Sequence, residues 1–299
     1  MDPAFLENRS VPMQDVPQWA GEFVGREPTA AEQRPPDIEI AERGGLRLVS
    51  AVSPACRETS PEIFSIAVRD TYRRLFDELH GYRPIRLWNF IPDVGRRISK
   101  NLDRYTSFNE ARYAALLEIY GTQEALQTNL RAATALGHSS TSFALHCLAS
   151  NRPSSAVENP RQIPAWRYSA TYSPTPPSFS RACIARLGPG TDLTLLISGT
   201  ASICGEASRH LGDLPSQTRE TFANLHSLIA EGTPGSSAPP LSRLTHLRVY
   251  RHPSIGEGRM GATIASHVQQ PDLLVEHCTA NLCRRELLVE IEGRATLEG

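Results

Sequence analysis

The sequence predicts a mixed α/β fold (α+β in its segregation) made of two ββαβαββ-type halves, each a mixed sheet with helices packed on one face. Three observations carry that prediction. Residues 179–299 alternate short apolar runs with two helical-period segments in the order ββαβαββ. Residues 37–150 offer a looser ββαβα…β order, and the 299-residue chain can supply a core to each half. No residue-level repeat accompanies this parallel, so any duplication has diverged.

Composition narrows the class. Hydrophobic content of 40%, charged content of 21% and a net charge of −1 describe an ordinary globular chain without a basic nucleic-acid footprint. The longest apolar runs, such as Leu193 to Ile197, are too short to cross a bilayer, and no charged-then-apolar signal opens the chain. A cytoplasmic protein without nucleic-acid or membrane partners is expected. Cysteines 56, 147, 183, 204, 278 and 283 contain no CxxC pair, which argues for reduced thiols over a zinc site or disulfide framework.

Residues 1–36 are rich in Pro, Gln, Glu and Ala without sustained period, and read as a flexible lead-in. Its first residues, Met1-Asp2-Pro3-Ala4-Phe5, resemble vector-derived sequence. An amino-terminal domain over 37–150 follows. Ile38 to Val52, with Gly44-Gly45 inside it, predicts a strand, a tight turn and a second strand. Ser60-Pro61-Glu62 is an N-cap, a first-turn proline and an acidic first turn, opening a helix with Phe64, Val68, Tyr72, Leu75 and Leu79 on one face. Ile85 to Phe90 is a strand, Phe108 to Tyr120 a helix, Gln123 to Ala135 a further helix, and Phe143 to Ala149 a strand. Residues 151–178, with their prolines and Trp166, Tyr168 and Tyr172, form an irregular connection too aromatic for a disordered linker.

The carboxy-terminal domain, 179–299, is patterned more sharply. Ala182 to Leu187 and Leu193 to Ser198 flank Gly188-Pro189-Gly190 as a hairpin, and Asp213 caps a helix carrying Thr218, Phe222, Leu225 and Ile229. Leu244 to Tyr250 is a strand, Gly258 to His267 a helix, and Leu273 to Cys278 a strand. The last strand, Leu287 to Gly293, turns Leu288, Glu290 and Glu292 to one face. From spacing alone two readings stand: a solvated strand face, or a carboxyl held at the lip of a cleft as a general acid.

Several stretches in the right order resemble the chorismatases. They are Arg86-Leu87-Trp88-Asn89-Phe90-Ile91-Pro92; Tyr105 with Phe108-Asn109 and Arg112; Pro177-Ser178-Phe179-Ser180-Arg181-Ala182; Ser198-Gly199-Thr200-Ala201-Ser202-Ile203; Ser208 to Asp213 with Gln217; and Val289-Glu290-Ile291-Glu292. The resemblance spans residues 85 to 293 and implies a carboxy-terminal domain similar to the Rid deaminase fold.

The resemblance implies a reaction on chorismate, in which a positioned acid protonates the methylene carbon of the enolpyruvyl ether and pyruvate leaves. Glu290 matches the family's acid, with Glu292 as second choice. Arg112 and Arg181 are the implied carboxylate binders, since a guanidinium grips a carboxylate bidentately; Tyr105 and Tyr172 are the implied hydroxyl donors. Gly199 and Thr200 are expected where a strand gives way to a loop, offering backbone N–H groups or a hydroxyl to substrate. Cys283 resembles the branch that aromatises chorismate to 3-hydroxybenzoate; as a bare residue it reads equally as a small buried hydrophobe.

The alternatives are a hydrolytic chorismatase giving a dihydroxycyclohexadiene carboxylate, a Rid-type imine deaminase, and a silent binding protein. Against the deaminase, the strand Leu273 to Cys278 lacks the arginine that such enzymes use. One departure from the family pattern is Glu206, in place of an expected His after Gly205. No metal or nucleotide motif is present, no cofactor is expected, and a monomer is favoured.

Overall fold

The computed structural model describes residues 8–10, 15–26, 37–54, 56–57, 59–98, 102–188 and 192–297. In chain order the elements are β1 (Asn8–Ser10), α1 (Gln18–Val24), β2 (Ile38–Arg43), β3 (Leu46–Ser53), α2 (Pro61–Asp77), β4 (Arg83–Pro92), α3 (Arg104–Tyr120), α4 (Gln123–Asn129), β5 (Ala132–His138) and β6 (Phe143–Ser150). Then come β7 (Ser155–Val157), β8 (Ala182–Ala185), β9 (Leu193–Ala201), β10 (Ile203–Cys204), β11 (Ala207–Ser208), α5 (Leu214–Gly232), β12 (Leu244–Arg251), α6 (Glu257–Ala265), β13 (Leu274–Thr279) and β14 (Val289–Leu297).

The expected helix starts are present and capped. Ser60 Oγ accepts from Ile63 N at α2, and Asp213 accepts from Ser216 N at α5, each followed by a proline in the first turn. The expected helix over Gln123 to Ala135 needs correction. It stops at Asn129, and Ala132–His138 is instead β5, parallel to β4 and buried along most of its length. Ala-Ala-Thr-Ala favours a helix locally, but pairing in the sheet interior overrides that preference.

The amino-terminal sheet has the order β2-β3-β6-β4-β5, and the larger sheet has the order β1-β13-β12-β14-β9-β8-β7. Substituting β8, β9, β12, β13 and β14 for β2, β3, β4, β5 and β6 turns one order into the other. The directions agree as well, with β4–β5 and β12–β13 the parallel pairs of the two five-strand sets. The halves therefore share one topology.

Alternation along the strands gives each sheet two apolar faces. One face of the smaller sheet packs under α2 and α3 through Phe64, Val68, Tyr72, Phe108, Leu87 and Phe143. The corresponding face of the larger sheet packs under α5 and α6 through Phe222, Leu225, Met260, Ile197, Val249 and Ile291. The remaining faces meet each other, with Leu48, Trp88, Phe90 and Leu148 against Cys183, Leu196, Ala201 and Tyr250. The result is a four-layer α-β-β-α arrangement.

The lead-in expected over 1–36 also needs correction in part. Residues 15–26 are ordered, and α1 buries Trp19 and Ala20 between the sheets, with Trp19 6.0 Å from Trp88. Gln18 N donates to Glu276 of β13, and Arg26 donates to Ser50 of β3. The vector-like Met1 to Phe5 lie outside the described residues.

Trp19→Ala is expected to destabilise the protein by about 3 kcal/mol, because a large aromatic is removed from a site that cannot collapse. Equilibrium denaturation in urea measures this; a change below about 1 kcal/mol would mean that α1 is only loosely docked.

Candidate active site

A cleft of about 440 Å³ opens where the two halves meet. The amino-terminal half supplies α3 with Tyr105, Asn109 and Arg112, and β5 with Ala133, Thr134 and Ala135. The other half supplies Arg181, Gly199, Cys283, Arg284 and Glu290, and the irregular connection adds Tyr168 and Tyr172. Of the eight sequence-predicted residues, Glu290, Cys283, Tyr105, Arg112, Tyr172, Arg181 and Gly199 line one cavity.

Thr200 is the exception. Strand β9 continues through Ala201, so Gly199 and Thr200 do not lie at its end, and alternation turns Thr200 away from the cleft. Its hydroxyl donates to Ser198 O. Gly199 is in the cleft, but its N–H donates to Thr134 Oγ1 at 3.0 Å and is not free to meet a ligand. What Gly199 provides is space, because a Cβ there would collide with Glu290 Oε1.

The two glutamates, which spacing could not separate, have different environments. Glu292 is 2% exposed, and its carboxylate accepts from Arg86 Nη2 at 2.7 Å, from Trp88 Nε1 at 2.9 Å and from Thr134 Oγ1. Glu290 lines the cleft and is 8% exposed. Burial, with the Glu292 charge adding to it and the Arg86 charge opposing it, pushes the Glu290 carboxyl up to about 8. Glu290 is thus a carboxylic acid that carries its proton at neutral pH beside an open cavity.

The strand carrying it is secured at its entry. Gln217 Nε2 donates to Glu286 O, and Gln217 Oε1 accepts from Leu288 N. The quoted Ser208-to-Gln217 stretch therefore acts by holding the chain that leads into β14. Ser208 Oγ also donates to Glu286 Oε1.

Around the acid the cleft is cationic. Arg112 is buried beneath Phe108; its Nη2 donates to Ser178 O and its Nε has no hydrogen-bond partner. Arg181 Nη2 donates to Ile163 O and the Tyr168 hydroxyl, and its Nε is likewise unpartnered. Arg284 stacks on the Tyr172 ring, 4.1 Å from its centroid. Glu206 does not line the cavity; it accepts from Ser169 N and Oγ, which with the nearby Arg284 hold its carboxyl below the usual range. The negative charge at this departure from the family pattern is thus spent on fastening the irregular connection.

Two neutral donors complete the wall. Burial and the adjacent Cys283 push the Tyr105 phenol well above its usual value, so it keeps its proton. Burial and the Glu290 charge do the same for Cys283, whose Sγ lies 2.9 Å from Ala135 O. Cys283 is therefore a thiol, not a thiolate. Asn109 is 1% exposed and lines the cleft beside the Tyr105 phenol, yet neither atom of its amide meets the geometry of a hydrogen bond.

The sequence patterns point to no role for Asn109, Thr134, Tyr168 or Arg284. Asn109 stood inside a quoted motif, and Arg284 follows Cys283 directly. Thr134 was hidden in a stretch that reads as helix, and nothing local marks it.

A family model described as "Chorismatase FkbO/Hyg5-like, N-terminal" matches residues 23–149. A 3-hydroxybenzoate synthase of Streptomyces hygroscopicus is 32% identical over 246 residues, spanning 77% of this chain and 69% of the relative. The chain belongs to the chorismatase family. A chorismatase of Streptomyces rapamycinicus is 28% identical over 74% of this chain and 67% of its own length. A chorismatase crystal structure superposes with a TM-score of 0.75 at 25% identity, covering 87% of this chain and 77% of that one.

The raised Glu290 carboxyl has a consequence for stability. The folded protein keeps that proton up to about pH 8, whereas a glutamate in the unfolded chain releases it near the ordinary value of 4.5. The unfolded state then binds fewer protons across that window, so this group makes stability fall as pH rises through it. Glu290→Gln is expected to gain stability relative to wild type between those limits, as read by urea denaturation at stepped pH; parallel curves would mean an unshifted carboxyl.

Proposed function

We propose that this chain converts chorismate to 3-hydroxybenzoate and pyruvate, with Glu290 as the acid. The observation that carries the reading is a buried carboxyl, its proton affinity raised by burial, lining a cleft walled by guanidinium groups. Chorismate is a dianion with a ring carboxylate and an enolpyruvyl carboxylate, and Arg112 and Arg181 are suited to them. Tyr105 and Tyr172 supply hydroxyl donors. A buried carboxyl with raised proton affinity in the cleft wall is suited to general acid catalysis on an enol ether bound there.

Glu290 gives its proton to the methylene carbon of the enol ether, and the ether carbon becomes oxocarbenium-like. Water adds there, the hemiketal hydroxyl passes its proton to the ring oxygen as the bond between that oxygen and the hemiketal carbon breaks, and pyruvate departs. Loss of water from the ring then gives the aromatic acid, so the water consumed in the first stage is returned in the second. Glu290 regains a proton from the adding water.

Cys283 supports the aromatising outcome over simple hydrolysis. As a neutral thiol in the cleft wall, within electrostatic reach of Glu290, it acts by shaping where the ring hydroxyl sits, not as a nucleophile. The free thiols of all six cysteines fit a reducing, cytoplasmic setting. Since each half covers the other's inner sheet face, a monomer is the favoured working form. No helix among the described residues is long and apolar enough to cross a membrane.

Purified protein is expected to release pyruvate and 3-hydroxybenzoate from chorismate, and Glu290→Gln to lower kcat by at least about a hundredfold. Coupled pyruvate assay with chromatography of the products measures both. Cys283→Ala is expected to keep pyruvate release while raising the share of other ring products; an unchanged spectrum would remove the thiol's directing role.

A further inference from the structure

Strand β9 is irregular where it passes the acid. Ile291 pairs with Thr200 and Gly293 with Ile197, so Ser198 and Gly199 together stand opposite Glu292 in a β-bulge. Both bulged residues bond away from their own sheet. Ser198 Oγ accepts from Ala133 N at 2.9 Å, and Gly199 N donates to Thr134 Oγ1, so each reaches β5 of the other half.

Thr134 is the meeting point. Its hydroxyl accepts from Arg86 Nη2 and from Gly199 N, and donates to Glu292 Oε2. That one oxygen joins the glycine that leaves room for Glu290 to the carboxylate two residues beyond Glu290. Thr134 is 2% exposed in the cleft wall.

We propose that Thr134 and Glu292 are positioning residues for Glu290, through which the buried seam between the halves holds the acid in place. The inference rests on the reading of Glu290 as the acid. Two features support it. The side chain of Glu290 is seated against Gly199, whose backbone Thr134 fixes. The charges facing it from neighbouring elements are Glu292 on its own strand and Arg86 on β4; Arg112 on α3, Arg181 before β8 and Arg284 before β14 stand farther round the wall, with Tyr105 and Cys283 neutral. Burial raises the proton affinity of Glu290 most, the Glu292 charge adds to it and the Arg86 charge opposes both.

The test uses Glu292→Gln, Thr134→Val and Thr134→Ser in the full chain. The Glu290 carboxyl is followed in the ligand-free protein by infrared difference against Glu290→Gln in each background. Glu292→Gln leaves Arg86 uncompensated, and the Glu290 midpoint is expected to fall by at least about one pH unit, a tenfold change in proton affinity. Thr134→Val keeps the volume and loses the hydroxyl. It is expected to lower kcat about tenfold with KM nearly unchanged, while Thr134→Ser restores most of the loss.

A Glu290 midpoint unmoved in Glu292→Gln, or a folded Thr134→Val with wild-type kcat, would overturn the inference. Should Glu292→Gln not fold because it strands a buried guanidinium, the Thr134 pair decides alone. The reading beneath it fails differently: wild-type protein that releases no pyruvate from chorismate would reject the function, while the infrared midpoint still tests the coupling.

Discussion

The Glu292 carboxylate, buried between two sheets, is the constraint on which the rest of the structure depends. A charge in that position carries a desolvation cost of several kcal/mol and is tolerable only with good partners. All three of its partners come from the other half of the chain: Arg86 and Trp88 on β4, and Thr134 on β5. Removing one partner of such a group typically costs about 3–5 kcal/mol. The network therefore fixes how the two sheets sit on each other, more specifically than the apolar side chains around it could. The quoted stretch from Arg86 to Pro92 reaches the active site in this indirect way: Arg86 and Trp88 set the position of Glu292, and with it the strand that carries Glu290.

A shared topology creates two equivalent clefts, and the chain treats them unequally. The site lies between β5 and β9, and the corresponding place in the duplicated order lies between β13 and β3. That second place is filled by α1. Gln18 bonds Glu276 on β13, Arg26 bonds Ser50 on β3, and Trp19 lies on Trp88 between them. The polar groups that the filled cleft would otherwise expose are occupied too: His146 Nδ1 lies 2.7 Å from Ser50 Oγ, and Arg248 pairs with Glu276 at 3.0 Å. One cleft has become core, and the other remains an open cavity lined by Asn109, Arg112 and Arg181.

What could be read in the sequence followed from where the physics is local. Caps at Ser60 and Asp213 and the alternation of β14 depend on neighbours in the chain, and the elements they predict are present. The resemblance collected most of the cleft because its motifs hold the cleft's own side chains. The failures are all non-local. Ala132–His138 reads as helix because alanine favours one, and only pairing to β4 makes it a strand. Thr134 was lost with it. Residues 15–26 read as a lead-in because a seven-residue helix has no sustained period, and its stability comes from the sheets beneath it. Thr200 reads as a loop residue because a bulge beside it is invisible without the partner strand. Glu290 and Glu292 share a spacing and a face, and their separation into an acid and an anchor required knowing which one β4 and β5 reach.

An acid surrounded by arginines presents an apparent conflict, since cations favour the ionised carboxylate and would draw the proton away. The structure resolves it by distance and by pairing. The guanidinium whose charge registers on Glu290 is Arg86, and Arg86 is already engaged by Glu292. Arg112 and Arg181 are tied through Nη2 to Ser178 O, and to Ile163 O and the Tyr168 hydroxyl, which directs them around the wall. A dianionic ligand held by those arginines would neutralise them and, by its own charge, raise the proton affinity of Glu290 further. The proton is then retained until a basic carbon is brought to it, and the enol ether's methylene carbon is the basic site of such a ligand. In the proposed reaction binding and acidity would therefore reinforce one another, since the substrate's own charge favours the protonated form of the acid it meets.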